Sequence, residues 1–132
     1  DLREFPGDPH EAQIVHDFEI IEKDEEVEIV VEAMGGVNPA YKFAKACLLA
    51  GKHVVTSNKA LVAAHGTELL AIAREKNLNF LFEASVGGGI PLLRPLTQSL
   101  AGEKIEEISG ILNGTTTSLP RWQEKVRPLR KP

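Results

Sequence analysis

The chain has 132 residues, enough for one domain with a modest core. It is 42% hydrophobic and 26% charged with a net charge of -4, which argues against a nucleic-acid partner, since phosphate contacts want a basic face. A lone cysteine, Cys47, excludes an internal disulfide and points to a reducing cytoplasmic compartment, and no apolar run approaches the ~18 residues of a membrane span.

The opening "DLREFPGDPHEA" carries two prolines and no apolar periodicity, so it reads as loop. "VEIVVEA" (Val27 to Ala33) is a β-branched run of the length of a buried parallel strand. It ends at Gly35-Gly36, after which Asn38 and Pro39 form a cap and first-turn pair. Ala40, Phe43, Ala44, Cys47 and Leu48 then follow the spacing of an amphipathic helix, which Gly51 stops. "KHVVTS" is the second strand. A helix from Asn58 to Lys76, capped by Ser57 or Asn58, follows with a break expected at His65-Gly66. "LNFLFEAS" (Leu78 to Ser85) is a third strand closed by Gly87-Gly88-Gly89. Pro91 opens a helix holding Leu92, Leu93, Leu96 and Leu100, and a fourth strand is expected from about Ile105 to Leu112.

Alternating strands and helices with short connections predict an α/β fold on a parallel sheet. Ligands bind such sheets beyond the carboxyl ends of the strands. Here those ends are Gly35-Gly36, Thr56 to Lys59, Glu83 to Gly89, and Asn113 to Thr115.

Lys59 is badly placed for a purely structural role, because a cation in the first helical turn faces the positive end of the helix dipole. Its long stem lets the ammonium escape at a cost of ~0.3–1 kcal/mol, and taken alone that bland reading is favoured. The functional reading is a cation that holds a carboxylate or polarises a carbonyl. Glu83 caps the next turn through its N–H groups, or joins nearby carbonyls in an oxygen cage for a hard cation. Gly35-Gly36 is either an ordinary tight turn or a point of close cofactor approach, and Asn113-Gly114 is first of all a turn dipeptide. Other chemistries are excluded. Glu83 stands where G-x-S-x-G needs glycine before Ser85, the four histidines show no H-x-x-x-H pairing, and neither a G-x-x-x-x-G-K-[ST] loop nor G-x-G-x-x-G occurs.

Four segments in order, "VVEAMGG", "GKHVVTSNKALVAAHGTELLAIA", "FEASVGGGIPLLRPL" and "ISGILNGTT", closely resemble homoserine dehydrogenase from about Val27 to Thr116. The resemblance implies a partial Rossmann-like, doubly wound parallel sheet over residues 1–104. It would lack the first strand and glycine-rich loop, and would lead at 105–116 into the start of an α+β substrate and dimerisation domain. It implies reversible oxidation of L-homoserine to L-aspartate 4-semialdehyde with NADP or NAD, in the route to threonine, methionine and isoleucine. The partners implied are that small-molecule substrate and, in the intact family member, a second copy in a homodimer, with no nucleic acid and no membrane.

By the same resemblance Lys59 lies between nicotinamide and substrate, where anionic ligands offset its dipole penalty, and Ser57 and the Gly35-Gly36 turn contact the cofactor. Glu83, Val86, Gly88 and Ile90 match a monovalent-cation site (sodium or potassium), and Gly114 and Thr115 match the loop beside homoserine. The family's acid-base lysine and its homoserine-binding carboxylate have no match, so these residues alone are expected to be inactive. A non-catalytic dimerising remnant and part of another NAD(P)-dependent amino-acid dehydrogenase are the alternatives.

The last fifteen residues, "SLPRWQEKVRPLRKP", carry +4 and three of the eight prolines, against -8 for the first 117 residues. A one-base shift of a permitted coding string for this stretch yields a family-like helix. Residues 117–132 are therefore expected to be an out-of-frame or disordered tail.

Overall fold

The structure is a computed structural model that describes residues 6–7 and 14–109. Its elements in chain order are α1 (Phe18–Lys23), β1 (Ile29–Glu32), α2 (Asn38–Leu49), β2 (His53–Thr56), α3 (Lys59–Glu75) and β3 (Phe80–Leu81), followed by a 3₁₀ turn (Glu83–Ser85) and a π-helical turn (Pro95–Ser99). The strands form one parallel sheet in the order β1-β2-β3. Val30 pairs with Val54 and Val54 with Phe80, while at the end of the first ladder Glu32 pairs with Thr56. This is part of a Rossmann-like α/β fold, as the alternation of strand and helix predicts.

Side chains alternate across each strand, so the sheet has two unlike faces. Val54 and Phe80 are buried in one cluster with Ala40, Ala44, Cys47 and Leu48 of α2 and Leu61, Leu69 and Ala73 of α3. Val30, Val62, Ile72 and Phe82 pack against that cluster. On the other face Ile29, Val31 and Leu81 are 59%, 71% and 47% exposed. A strand buried on both faces was expected for Val27 to Ala33. Among the described residues only one face is covered, which is why so apolar a strand shows so much surface.

Ahead of the sheet, Asp17 caps α1 by accepting the Glu19 amide, and Phe18 stacks on Phe43 of α2 with ring centroids 4.2 Å apart. This short helix has too few apolar positions to declare itself by period. Buried Lys52 donates from Nζ to the carbonyl of Val27 (2.8 Å) and to that of Asp24, tying the approach to β1 onto the start of β2. Across the helices, Tyr41 stacks on His65 at 3.9 Å, and Lys45 Nζ reaches Glu68 Oε1 at 2.8 Å.

Several sequence expectations are corrected. Asn38 is the first helical residue of α2 and Val37 its cap, without a side-chain cap bond. Gly36, at φ 80°, turns the chain one residue early, and the Tyr41 amide already bonds the Val37 carbonyl at 2.8 Å. Pro39 falls in the first turn, where its missing N–H costs nothing. Gly51, at φ 86°, does end the α2 region, since only glycine adopts that conformation freely.

Helix α3 runs unbroken through His65-Gly66. Burial of Leu61 on one side and of Leu69 and Ala73 on the other pins both halves to the same core, outweighing the ~1 kcal/mol that one glycine costs. The third strand is Phe80–Leu81 only, because the chain turns at Phe82, whose carbonyl accepts both the Ser85 amide (3.0 Å) and the Ser85 hydroxyl (2.6 Å).

Helical backbone begins at 93, two residues after Pro91, and Pro95–Ser99 is π-helical, closed by the Leu100 amide on the Pro95 carbonyl at 3.1 Å. Pro95 inside the segment lacks an amide for the regular ladder. Residues 105–109 form no strand and are exposed, with no neighbouring strand to pair with among the described residues. The remainder of that expected strand, Gly114, Thr115 and the 117–132 tail lie outside the described residues.

Candidate functional site

The polar residues of the rim are placed by where the strands stop. The first ladder ends at Glu32 and Thr56, and the chain leaves β2 through Ser57 and Asn58 into α3. Of the two candidate caps, Asn58 is the one used: its side-chain oxygen accepts the Leu61 amide at 3.0 Å. Thr56 and Asn58 point inward and are 1% and 6% exposed, whereas Ser57 and Lys59 point outward and are exposed. Lys59 is the first residue of α3 and has no ion-pair partner among the described residues, so its charge is free for a ligand.

Across from it, the Gly35-Gly36 turn is exposed, and nothing stands within 4 Å of where a Cβ on either glycine would lie. The turn, the Ser57 hydroxyl and the Lys59 ammonium thus share the open rim beyond β1 and β2.

Beneath that rim lies a buried polar cluster that sequence reasoning missed. Glu32, 5% exposed, accepts the Met34 amide at 2.7 Å and the Asn58 Nδ2 at 3.4 Å on Oε1, and the Thr56 hydroxyl on Oε2. Thr56 Oγ1 in turn accepts the Asn58 amide at 2.9 Å, and Asn58 Nδ2 donates to the Gly36 carbonyl at 2.7 Å. The available signal was an acidic residue ending a β-branched run on the same face as Val30.

The Glu83 carboxylate caps the segment that follows it. Its Oε1 accepts the amides of Leu92 and Leu93 (2.8 Å), and its Oε2 accepts that of Arg94 (2.9 Å), satisfying donors that open the segment after Pro91. Partial burial pushes its carboxyl up, but the three backbone donors, with the nearby Arg94 charge, outweigh that and hold it below the ordinary carboxylate range. Val86 is half-buried, and Gly88 and Ile90 are exposed on the loop between. No group of three or more His, Cys, Asp or Glu able to hold a metal occurs among the described residues.

Two cavities accompany the sheet. One, of about 480 Å³, lies at the opposite rim among Glu22, Asp24, Glu28, Gly51 and Lys52, away from the polar cluster. The other, of about 420 Å³, runs along β1 from Val15 and Phe18 to Glu32 and Met34 and is mostly apolar, with His16, Asp17 and Glu32 as its polar lining. No described helix is long and apolar enough to cross a membrane.

A parallel α/β sheet that presents an open glycine turn, a hydroxyl and an unpaired lysine at its strand ends is a Rossmann-type ligand-binding protein in part. Residues 5–83 match the sequence model described as homoserine dehydrogenase, NAD binding domain. The chain belongs to the homoserine dehydrogenase family of oxidoreductases.

It is 48% identical over 100 residues to the homoserine dehydrogenase of Synechocystis sp., covering 76% of this chain and 23% of that one. To that of Corynebacterium glutamicum it is 52% identical over 99 residues, covering 75% and 22%. Among solved structures, a homoserine dehydrogenase from Thiobacillus denitrificans superposes with a TM-score of 0.71 at 42% identity, over 75% of this chain and 23% of that chain. The chain therefore spans about a quarter of the length of the relatives it matches.

Proposed function

We propose that these residues form the later part of the cofactor-binding domain of an enzyme that interconverts L-homoserine and L-aspartate 4-semialdehyde with NADP or NAD. The observation that carries the reading is the exposed pair Ser57 and Lys59 beside the open Gly35-Gly36 turn, within a region matched to a homoserine dehydrogenase NAD-binding domain. Bound nicotinamide cofactor supplies the hydride chemistry. The glycine turn admits its close approach, Ser57 offers a hydroxyl, and Lys59 orients the substrate and stabilises negative charge between substrate and cofactor. The N-terminal position of Lys59 fits this role, because an anionic ligand at a helix N-terminus offsets the unfavourable cation there.

A monovalent cation, sodium or potassium, belongs to the same reading at Glu83, Val86, Gly88 and Ile90. In it the Glu83 carboxylate and the backbone carbonyls of Val86, Gly88 and Ile90 would share the coordination. Gly114 and Thr115 complete the proposal as the loop beside homoserine, and the intact enzyme acts as a homodimer in the cytoplasm. The 132 residues bind the nicotinamide end of the cofactor without turning over substrate by themselves. Titration of the chain with NADPH, followed by the fluorescence of the reduced nicotinamide, tests this. Saturable binding that Lys59→Ala weakens is expected, and binding indifferent to Lys59 would sink the assignment.

A further inference from the structure

We infer that Glu32 is a positioning residue: with Thr56 and Asn58 it sets the spacing between the Gly35-Gly36 turn and the start of α3, and so fixes where Ser57 and Lys59 stand. The inference rests on the cofactor reading of that rim for its functional meaning. Its geometry stands independently.

Glu32 is 5% exposed and has no ion-pair partner among the described residues. A carboxylate is a costly thing to bury without a cation, and a valine or isoleucine would continue β1 more cheaply. What the carboxylate adds is reach in two directions. It receives the Met34 amide from the chain leaving β1, and the Thr56 hydroxyl and Asn58 Nδ2 from the chain leaving β2. Asn58 Nδ2 also bonds the Gly36 carbonyl at 2.7 Å, which closes a loop of hydrogen bonds between the two connections.

No buried side-chain polar atom among the described residues is left without a partner, so the members of the cluster constrain one another. Inward residues 56 and 58 alternate with outward residues 57 and 59. A shift of the buried pair therefore moves Ser57 and Lys59 through the peptide units between them.

The test uses the isotopically labelled 132-residue chain, NADPH as probe, and the variants Glu32→Gln, Thr56→Val and Thr56→Ser. In Glu32→Gln the new amide must point its N–H₂ either at the Met34 and Asn58 donors or at Thr56, whose hydroxyl proton then loses its acceptor. Thr56→Val removes the hydroxyl without changing shape, and Thr56→Ser keeps it. The expected result is that Glu32→Gln and Thr56→Val weaken NADPH binding by roughly tenfold, the equivalent of about one hydrogen bond to a charged group. Thr56→Ser restores binding, and the backbone signals of Ser57 and Lys59 move while those of Phe80 in β3 stay in place.

Should Glu32→Gln not fold, the two Thr56 variants carry the same comparison. Equal NADPH affinity across foldable variants overturns the inference, as does a loss of thermal stability with the Ser57 and Lys59 signals unmoved. If the unaltered chain binds no NADPH, the cofactor reading fails separately. Displacement of the Ser57 and Lys59 signals in Glu32→Gln or Thr56→Val then supports positioning, and unchanged signals overturn it.

Discussion

The side-chain amide of Asn58 stands 2.7 Å from the carbonyl oxygen of Gly36, so the residue that caps α3 also holds the turn leading into α2. One side chain thereby joins two βα connections that lie 22 residues apart in sequence.

Asn58→Asp separates these roles. Aspartate caps helices as well as asparagine does, so a purely local cap would tolerate the change. Here it would instead set a carboxylate against the Gly36 carbonyl and the Glu32 carboxylate. Asn58→Asp is expected to lower the urea midpoint at neutral pH at least as much as Asn58→Ala, for which loss of the cap alone costs about 0.5–2 kcal/mol. An Asp variant as stable as the parent would show that the bridge to Gly36 contributes nothing.

Glu83 makes stability depend on pH in a defined direction. Its pKa is lower folded than unfolded, so its contribution is fully present above the unfolded value, about 4.3, and is lost as pH falls through the folded value. Glu83→Gln should therefore unfold at lower urea than the parent at about pH 6, with the gap closing as pH falls through the folded value. A gap of constant size would mean that the three amide contacts are indifferent to charge.

Two adjacent leucines on α3 should behave very differently. Leu69 is fully buried, and Leu69→Ala is expected to cost about 2–5 kcal/mol through lost transfer energy and the cavity left behind. Leu70 is 40% exposed, and Leu70→Ala should cost under about 1 kcal/mol. Equal losses in chemical denaturation would contradict a helix that buries Leu69 and exposes Leu70. Burial also pushes the Cys47 thiol up, so alkylation of Cys47 should require unfolding and report the same ranking.

The uncovered sheet face predicts self-association. Val31 is 71% exposed on β1, whose outer edge has no strand beside it among the described residues. Val31→Lys should reduce concentration-dependent association in sedimentation velocity while leaving the unfolding midpoint nearly unchanged. A chain that remains monomeric at high concentration would show that this face is covered.

The alternation of strand and helix from β1 to β3, the amphipathic face of α2, the stop at Gly51 and the oddity of Lys59 were legible in the sequence, whereas α1 was not. Each depends on residues within one or two turns of each other, and that range is what periodicity and capping rules describe. The ends of elements were less legible. The third strand is short because β3 pairs with β2 alone and Phe82 then begins a turn, and α3 survives Gly66 because both of its halves are anchored in one core.

The sequence by itself determined an α/β chain of the homoserine dehydrogenase family and placed Ser57 and Lys59 at the start of a helix. Only the tertiary structure decided that Glu32 meets Thr56 and Asn58. That meeting depends on parallel register, which sets Glu32 opposite Thr56, 24 residues further along the chain. A shift of one residue would send Glu32 to the bare face and leave the two connections unjoined, because side chains alternate sides at every step along a strand.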